Sequence, residues 1–472
     1  MVAVAAREAG RVLTGWGRTT PSRAQVVGPL AAAQLGALVA ARPAGGVLAR
    51  GAGRSYGDAA QNVGGVVVDP VTAPCIDLDP DAATVRVSAS TSFTDLLTRI
   101  VPEGLLLPVL PGTRHLTVGG AVAADVHGKN QRSDGSLGRW IEEIEILDGT
   151  GEVRRLTPDG QPEEFRATVG GMGLTGLILS ATIRLLRIRS AQMLVSTRRQ
   201  PDLDALLTAM DESRDRYCVA WIDTTATGRS LGRGVLAVGD HLAEPDPAAE
   251  PGGLAYRAHR AHRAPRLPVC PFTAWSAREF NELHFRRAAQ EDSEITDLAS
   301  FFHRLDVLDG WNRTLGPRGF VEYQCVVPEG AHGVISQILE AAQRHRCASF
   351  LGTLKRFGPG TASYLSFPMA GWSLAIDMPA GNRQLGPMLD DLDERVAAAG
   401  GRVYLAGDSR LRGSACAAMY PGLARWRAAA ARLDPDGVFR SDLGQRLGLR
   451  QATRTLTTGK LIGTSSGRQH AG

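Results

Sequence analysis

A histidine, two lysines and a tyrosine are the side chains best suited to acid–base chemistry in this chain. The pKa of a histidine lies near neutrality, so His127 is a candidate for taking a proton from a hydroxyl group. Lys129 and Lys355 can place a positive charge beside an oxyanion. Only three of the 53 basic residues are lysine, the third being Lys460, so a retained lysine is a candidate for a specific role. Tyr56 is the fourth candidate. Each of these residues also has a non-catalytic explanation: His127 could cap the backbone of a loop, the two lysines could be solvated surface charges, and Tyr56 could simply pack in the core.

Three glycine-rich stretches flank these candidates. They occupy residues 50–58, residues 110–121 with the adjoining 125–130, and residues 168–177. Glycine lets the backbone approach a ligand closely and point successive N–H groups at phosphate oxygens. None of the stretches contains the GxxxxGK[ST] of a P-loop or fits GxGxxG in a βαβ unit. Each loop alone is equally well explained as an ordinary turn. Only the three loops together, in their order along the chain, indicate a ligand-binding site.

The first half of the chain must position these loops. Residues 47–188 alternate short β-rich runs with glycine-rich turns, and helices are predicted at residues 31–42 and 92–101, with Thr91 or Ser92 as N-cap. The predicted fold class is α+β: a two-part domain carrying the loops, then a domain with an antiparallel sheet covered by helices.

The second domain is predicted from about residue 191. It begins with a helix at residues 202–214 and a strand at 217–223, and residues 243–268 are an exposed excursion. Strands at 320–327, 349–354, 372–377 and 402–405 alternate with helices at 331–346 and 384–399, which is a ferredoxin-like plan. The predicted domains are residues 1–190, residues 191–415, a C-terminal return at 416–450 built from a helix and a short segment, and a disordered tail at 451–472.

Composition excludes several classes of protein. The 472 residues are 43% hydrophobic and 21% charged, as in ordinary globular proteins, and the net charge of +5 comes without a dense basic run, so we expect no nucleic-acid partner. Six scattered cysteines argue against a disulfide scaffold and against a metal site. With no signal peptide and no long apolar run, we expect a cytoplasmic protein without a membrane span. An association with the inner membrane face stays open.

Short motifs spread over residues 13–449 resemble one known family. In their order, the three loops are similar to those of the FAD-binding domain of the vanillyl-alcohol-oxidase/p-cresol-methylhydroxylase type. Within it, the chain resembles the decaprenylphosphoryl-β-D-ribose 2-oxidases most specifically. The motifs that carry this resemblance lie at residues 15–19, 53–58, 107–114, 127–130, 311–317, 323–324, 354–359, 365–368 and 419–421.

The resemblance implies a role for each matching residue. Residues 1–190 would bind FAD and residues 191–415 the substrate. The catalytic positions are His127, Lys129 and Tyr56. The substrate-side positions are Trp221, Gln324, Lys355 and Ala375. The cofactor-binding positions are Gly51, Gly53, Arg54, Ser55, Tyr56, Gly57, Asp58, Pro111, Gly112, Thr113, Thr117, Gly119, Gly120, His127, Gly128, Asn130, Gly173 and Gly176.

Several positions depart from these relatives. Ser373 stands where they usually carry asparagine, Ala375 where they carry cysteine, Gly407 where they carry lysine, and Glu322 where they carry glutamine. The FAD loops are intact while the substrate wall differs, which favours the same chemistry on a different sugar. Arg54 takes the place of the histidine through which many relatives attach FAD covalently, and we therefore predict non-covalent FAD.

The implied function is that of an FAD-dependent oxidoreductase that removes hydride from a secondary alcohol of a sugar or a lipid-phosphoryl sugar. The product would be a keto sugar, and an NAD(P)H-dependent reductase partner could complete an epimerisation. Three alternatives stay open: a polyol or aldonolactone-type oxidase that produces hydrogen peroxide, a sugar oxidase of a specialised-metabolite pathway, and a flavin-binding protein without catalysis.

Overall fold

The structure is a computed structural model that describes residues 10–243, 254–271, 273–347 and 349–450. Within these ranges the chain forms 21 strands and 13 α-helices, joined by short 3-10 turns. The strands are β1 (Arg11–Leu13), β2 (Ser22–Val27), β3 (Val47–Ala49), β4 (Val66–Val68), β5 (Ile76–Asp79), β6 (Thr84–Ser88), β7 (Leu105–Leu106), β8 (Ile141–Leu147), β9 (Val153–Leu156), β10 (Leu177–Arg184), β11 (Leu186–Arg187), β12 (Gln192–Gln200), β13 (Tyr217–Ile222), β14 (Gly234–His241), β15 (His262–Arg263), β16 (Glu291–Asp297), β17 (Leu308–Asp309), β18 (Phe320–Val327), β19 (Gly352–Phe357), β20 (Gly371–Pro379) and β21 (Arg402–Val403). The helices are α1 (Ala32–Ala40), α2 (Phe93–Ile100), α3 (Val118–Ala123), α4 (Gln131–Asp134), α5 (Pro162–Thr168), α6 (Leu203–Glu212), α7 (Ala274–Arg287), α8 (Leu298–Phe302), α9 (Gly333–Arg344), α10 (Leu385–Ala398), α11 (Gly413–Met419), α12 (Leu423–Leu433) and α13 (Asp442–Arg446).

Two sheets carry the glycine-rich loops. The first has the order β1-β2-β4-β3, with β4 parallel to both β2 and β3. The second has the order β5-β6-β10-β8-β9 and is antiparallel throughout. Helix α1 packs between them, because Leu35 and Val39 are fully buried against Val68 and Leu177. The predicted helices at 31–42 and 92–101 are confirmed as α1 and α2, and Ser92 is the N-cap of α2.

The third sheet has eight strands in the order β16-β12-β14-β13-β19-β20-β18-β21. Its β21-β18-β20-β19 half, with α9 and α10 in the crossovers, confirms the predicted ferredoxin-like plan. The strand predicted at 349–354 lies at Gly352–Phe357 instead.

The predicted four-stranded sheet was too small, because β12, β14 and β16 were not predicted and the predicted strand at 217–223, now β13, was not placed in the sheet. Strand β16 has the sequence EDSEITD and exposes five of its seven residues, so it shows no apolar alternation. It is an edge strand that forms by backbone pairing to β12. Polar side chains at such an edge prevent pairing with strands of other molecules. They also remove the alternation of apolar and polar residues by which a strand is recognised in the sequence.

The C-terminal return consists of three helices, where one was predicted. Pro421 and Gly422 end the first of them, since proline cannot continue an α-helix. The Asp434 carboxylate then accepts hydrogen bonds from the backbone of Val438 and Phe439 at 2.8 and 2.9 Å. This turn brings Phe439 beside Val47 at the edge of β3. Of the other predicted segments, the tail at 451–472 and residues 244–253 of the excursion lie outside the described residues.

A division of the chain at residue 190 stays a prediction. One continuous hydrophobic core holds side chains from both sides of that position, for example Val87 and Ile144 with Leu354 and Ile376. In the part of the chain that the structure describes, no helix combines the length and the apolar character that crossing a bilayer requires.

Candidate active site

A cavity of about 370 Å³ lies between the glycine-rich loops and the eight-stranded sheet. The loops form one wall, and strands β18, β19 and β20 form the opposite wall. The predicted site residues that line it are Gly51, Gly53, Arg54, Ser55, Tyr56, Pro111, Gly112, Thr113, Thr117, Gly119, Gly120, His127, Gly173, Gly176, Gln324, Lys355 and Ala375. The fold thus brings the two predicted sets, cofactor and substrate positions, to one cavity.

The loops present bare backbone to this cavity. A Cβ atom added at Gly112 or Gly173 would meet no atom within 4 Å, so the space beside both glycines is open. Gly173 also has a φ of +72°, a conformation that glycine adopts at no steric cost. At Gly51 an added Cβ would lie 2.2 Å from Thr117 Oγ1, so these loops approach too closely for a side chain. Such a cradle fits the pyrophosphate of FAD, which backbone N–H groups can bind.

Four of the predicted cofactor residues lie behind the cavity wall. The Asp58 carboxylate accepts two hydrogen bonds from Arg446 of α13, at 2.7 and 2.9 Å. Asn130 Nδ2 donates to the backbone oxygen of Pro108 at 2.7 Å. Gly57 and Gly128 lie so close to neighbouring backbone that an added Cβ would come within 2.7 Å of a carbonyl oxygen. The structure gives these residues contacts that hold the loops in shape.

Arg54 occupies the position at which many relatives attach FAD. Its guanidinium carbon lies 3.9 Å from the centroid of the Trp16 ring, and Nε donates to the backbone oxygen of His115 at 3.3 Å. Burial lowers the pKa of Arg54 from its usual value, and the carboxylates of Asp306 and Asp309 partly offset this. A guanidinium held in this way is a positive charge on the cavity wall and cannot form the covalent link.

We therefore expect the FAD of this protein to be released by acid. Precipitation with trichloroacetic acid should leave the yellow colour in the supernatant, since Arg54 offers no nucleophile for a covalent bond. The absorbance of supernatant and pellet measures the partition. A pellet that stays yellow after washing would show a covalent link through another residue.

His127 is buried, and its imidazole is held in one orientation. Gln324 Nε2 lies 2.9 Å from His127 Nε2 and donates to it, while Nδ1 has no hydrogen-bond partner among the described residues. Burial lowers the pKa of His127 well below 6.5, and the charge of Lys355 lowers it further. The imidazole is therefore neutral near pH 7. The aromatic rings around it, at 5.0–5.5 Å between centroids, belong to Phe357, Tyr404 and Phe367.

Two of the residues predicted for the site, Lys129 and Trp221, do not line the cavity. Lys129 Nζ donates to the backbone oxygen of Phe301 and lies 3.9 Å from the centroid of that ring. Burial lowers the pKa of Lys129 to about 7, with further contributions from Arg304 and Lys355. Trp221 turns its Nε1 to the backbone oxygen of Phe350, at 3.0 Å. A direct contact of either residue with a bound ligand stays a prediction.

Part of the cavity wall was not predicted from the sequence. Asp377 and Tyr404 line it and were not singled out, and Glu322 was noted only as a departure. Alternation along β20 could have found Asp377, because residues two apart in a strand face the same side and Ala375 was already assigned to the site. Tyr404 follows the short strand β21, and only the tertiary fold brings it to His127.

Comparisons with known proteins agree with this geometry. The profile of the FAD binding domain matches residues 24–157, which include the first two glycine-rich loops. Decaprenylphosphoryl-beta-D-ribose oxidase of Mycolicibacterium smegmatis is 39% identical over 449 residues, covering 93% of this chain and 97% of that protein. An uncharacterised protein of Streptomyces coelicolor is 39% identical over 74% of this chain and 98% of its own length. Alditol oxidase of a Streptomyces species is 31% identical over 37% of this chain and 41% of its own.

The first of these similarities extends over both walls of the cavity, and the bare glycine loops supply the backbone surface that FAD requires. The chain therefore belongs to the family of FAD-binding oxidoreductases that includes decaprenylphosphoryl-beta-D-ribose oxidase, and it is an FAD-dependent enzyme that oxidises alcohol donors.

Proposed function

We propose that this enzyme oxidises a secondary alcohol of a sugar to a ketone. The observation that supports it most is the neutral, buried His127 on the wall of the cavity that the glycine loops form. Bound FAD supplies the acceptor for the hydride that leaves the carbon. The protein must then supply a group that takes the hydroxyl proton, and a neutral imidazole does so near pH 7.

His127 is the proposed proton acceptor, and Gln324 is its positioning residue. Gln324 Nε2 donates to His127 Nε2 at 2.9 Å and to Ser373 Oγ at 3.2 Å, so the neutral imidazole carries its hydrogen on Nδ1 and its lone pair on Nε2. The substrate hydroxyl takes the place of the Gln324 amide at Nε2, and its proton passes to that nitrogen. The aromatic rings around His127 exclude water from the imidazole. A proton from the substrate therefore passes to the histidine instead of to solvent.

Lys355 and Tyr56 are the proposed partners of the substrate oxygen atoms. Both side chains line the cavity and are half-buried. The ammonium group of Lys355 can stabilise the negative charge that develops on the oxygen as its proton leaves. Burial lowers the pKa of Lys355, while Glu322 beside it raises that pKa. Lys129, whose pKa burial lowers to about 7, adds a partial positive charge behind the wall near neutral pH.

The proposed substrate class is inferred from the relatives of this chain. One of them is named an oxidase of decaprenylphosphoryl-ribose, so a sugar or a lipid-phosphoryl sugar is the proposed substrate and a keto sugar the product. Reduction of that ketone by an NAD(P)H-dependent partner would complete an epimerisation. A cytoplasmic enzyme at the inner membrane face suits a lipid-linked substrate, and the exposed Trp275 and Phe280 on α7 support this placement.

Anaerobic titration of the FAD-loaded protein with sugars tests the proposal. A substrate should bleach the flavin absorbance near 450 nm in the absence of oxygen, and the product should carry a ketone detectable by mass spectrometry. The panel contains lipid-phosphoryl ribose, free pentoses and hexoses, and alditols. Failure of every alcohol to bleach the flavin would leave a flavin-binding protein without this catalysis.

A second candidate function is an alditol or aldonolactone-type oxidase, which the similarity to alditol oxidase favours. Such an enzyme passes its electrons to dioxygen. Rapid formation of hydrogen peroxide from an alditol under air would support it. Turnover that needs a dye or quinone acceptor would favour the sugar oxidation proposed first.

A further inference from the structure

Two carboxylates face each other directly on the substrate wall of the cavity. Glu322 on β18 and Asp377 on β20 are cross-strand partners, and both line the cavity. Side chains paired in this way have Cβ atoms about 4.5–5.5 Å apart, and like charges so placed destabilise a sheet. A sheet that keeps such a pair in a buried wall needs a positive charge or a proton between the two groups.

A glycine makes room for the first of these carboxylates. A Cβ atom at Gly407 would lie 2.7 Å from Glu322 Oε1, which is closer than non-bonded atoms approach. The Glu322 carboxylate thus lies against bare backbone at Gly407. Any other residue at position 407 would displace this carboxylate from its place in the wall.

The protein itself supplies little positive charge to the pair. The uncharged Tyr56 lies beside Glu322, and the cation that acts on Glu322 is Lys355 of β19, two strands away in the order β19-β20-β18. The carboxylate of Asp377 has no hydrogen-bond partner within the described ranges, although the residue is only 9% exposed. Arg54, on the opposite wall, is stacked over Trp16, and its charge is offset by Asp306 and Asp309.

Two further groups that line the cavity carry no positive charge. His127 is neutral, because burial and the charge of Lys355 lower its pKa. Tyr404 is neutral as well, because burial raises the pKa of its hydroxyl well above 10. One lysine therefore serves two carboxylates of this wall, and Asp377, which has no counter-charge, keeps a proton more readily than an ordinary carboxylate until a cation binds.

The geometry points to a substrate ammonium group as the missing partner: we propose that Glu322 and Asp377 together bind the amine of an amino sugar. The proposal rests on the sugar oxidation proposed above and names its substrate class. Because the two carboxylates and His127 line the same cavity, the amine would lie on the sugar that carries the oxidised carbon.

The proton affinity of the pair supports a cationic ligand. Burial raises the pKa of Glu322 to about 7 and raises that of Asp377 well above its usual value. A bound ammonium group favours the ionised carboxylates, so its binding should release a proton. The affinity for an amine should therefore rise between pH 6 and pH 8, until the amine loses its own proton.

Binding of matched sugar pairs to the FAD-loaded protein tests the proposal. The probes are glucosamine with glucose, galactosamine with galactose, and 3-amino-3-deoxyribose with ribose. Calorimetric titration of the protein after reduction of its FAD gives a dissociation constant that does not depend on turnover, because reduced FAD cannot accept a hydride. We expect at least one amino sugar to bind about tenfold or more tightly than its parent, the range for a hydrogen bond to a charged group.

Three variants make the test specific. Glu322→Gln and Asp377→Asn should each remove most of this preference, measured as the ratio of the two dissociation constants within each sugar pair. Glu340→Gln changes an exposed glutamate on α9 and is the matched control, which should keep the preference. Equal binding of both members of every pair, absence of binding by every probe, or an unchanged preference in Glu322→Gln would overturn the proposal.

Bleaching of the oxidised protein by the same sugars separates this inference from the proposed function. If neutral sugars bleach the flavin and no amine is preferred, the ammonium site is wrong and the sugar oxidation stands. If the protein prefers an amino sugar and Glu322→Gln abolishes that preference, but no sugar bleaches the flavin, the ammonium site stands and the proposed oxidation is overturned.

Discussion

Replacement of His127 by asparagine is expected to slow the reduction of bound FAD by substrate about 10²- to 10⁴-fold, the range for loss of a general base. Asparagine keeps a polar group in the space of the imidazole but cannot take a proton. FAD should stay bound, because the glycine loops that form its cradle are unchanged. Anaerobic stopped-flow measurement of the flavin absorbance gives the rate directly.

A matched control is available on the surface. His332 is exposed at the start of α9, so His332→Asn makes the same chemical change far from the cavity and should leave the rate unchanged. If His127→Asn reduces its flavin as fast as the natural protein, another group takes the proton. Glu322 would then be the first candidate, since it lines the same cavity and its pKa is raised to about 7.

The pH dependence of this rate separates the two bases. A base must be deprotonated to act, so the rate falls as the pH drops through its pKa. Burial lowers the pKa of His127 well below 6.5, so a rate that depends on His127 should stay constant from pH 8 to below pH 6.5 and fall only in stronger acid. A rate that falls already near pH 7, and no longer does so in Glu322→Gln, would assign the proton to Glu322.

Local signals in the sequence were sufficient to predict the ferredoxin-like half of the third sheet. The sequence predicts strand β18 with its observed limits, 320–327, because apolar side chains dominate the run, and the structure buries seven of its eight residues. Helices α9 and α10 also have regular apolar faces, with Ile335, Ile338 and Leu339 buried on the first. The edge strand β16 lacks any such signal, since its stability comes from pairing with β12 alone.

The candidate site also has one part that the sequence predicts and another that only the fold creates. The glycine loops could be assigned to the cofactor from their residue types and order, because close backbone approach requires glycine wherever it occurs. The opposition of Glu322 and Asp377 depends on the register of β18 and β20, which local sequence does not determine. Lys129 illustrates the limit: it lies two residues after His127, yet its side chain contacts Phe301 behind the wall.

The second large effect is expected at Arg446, which ties the C-terminal helix α13 to the first glycine loop. Its guanidinium donates to both oxygens of Asp58, at 2.7 and 2.9 Å, and lies 2.9 Å from Asp408 Oδ2. The side chains of Asp58 and Asp408 are only 9% and 3% exposed. Removing one member of a buried ion pair leaves an uncompensated charge and costs about 3–5 kcal/mol.

Arg446→Met should therefore lower the free energy of unfolding by about 3–5 kcal/mol and weaken the binding of FAD. The cofactor is affected because Asp58 ends the loop that carries Gly53 and Arg54, both on the cavity wall. Denaturant unfolding gives the free energy, and titration of the apoprotein with FAD gives the affinity. The exposed pair of Arg432 with Glu164 is the control, and Arg432→Met should cost at most about 1 kcal/mol.

The double variant Asp58→Asn with Arg446→Met distinguishes the charge from the packing. Asparagine removes the carboxylate that Arg446→Met leaves without its cation, so the double variant should regain part of the lost stability. If it is no more stable than Arg446→Met, the arginine acts through its hydrogen bond to the backbone oxygen of Leu411, at 2.7 Å, and through packing of its alkyl chain. If FAD binds as tightly to Arg446→Met as to the natural protein, the shape of the first loop does not depend on this ion pair.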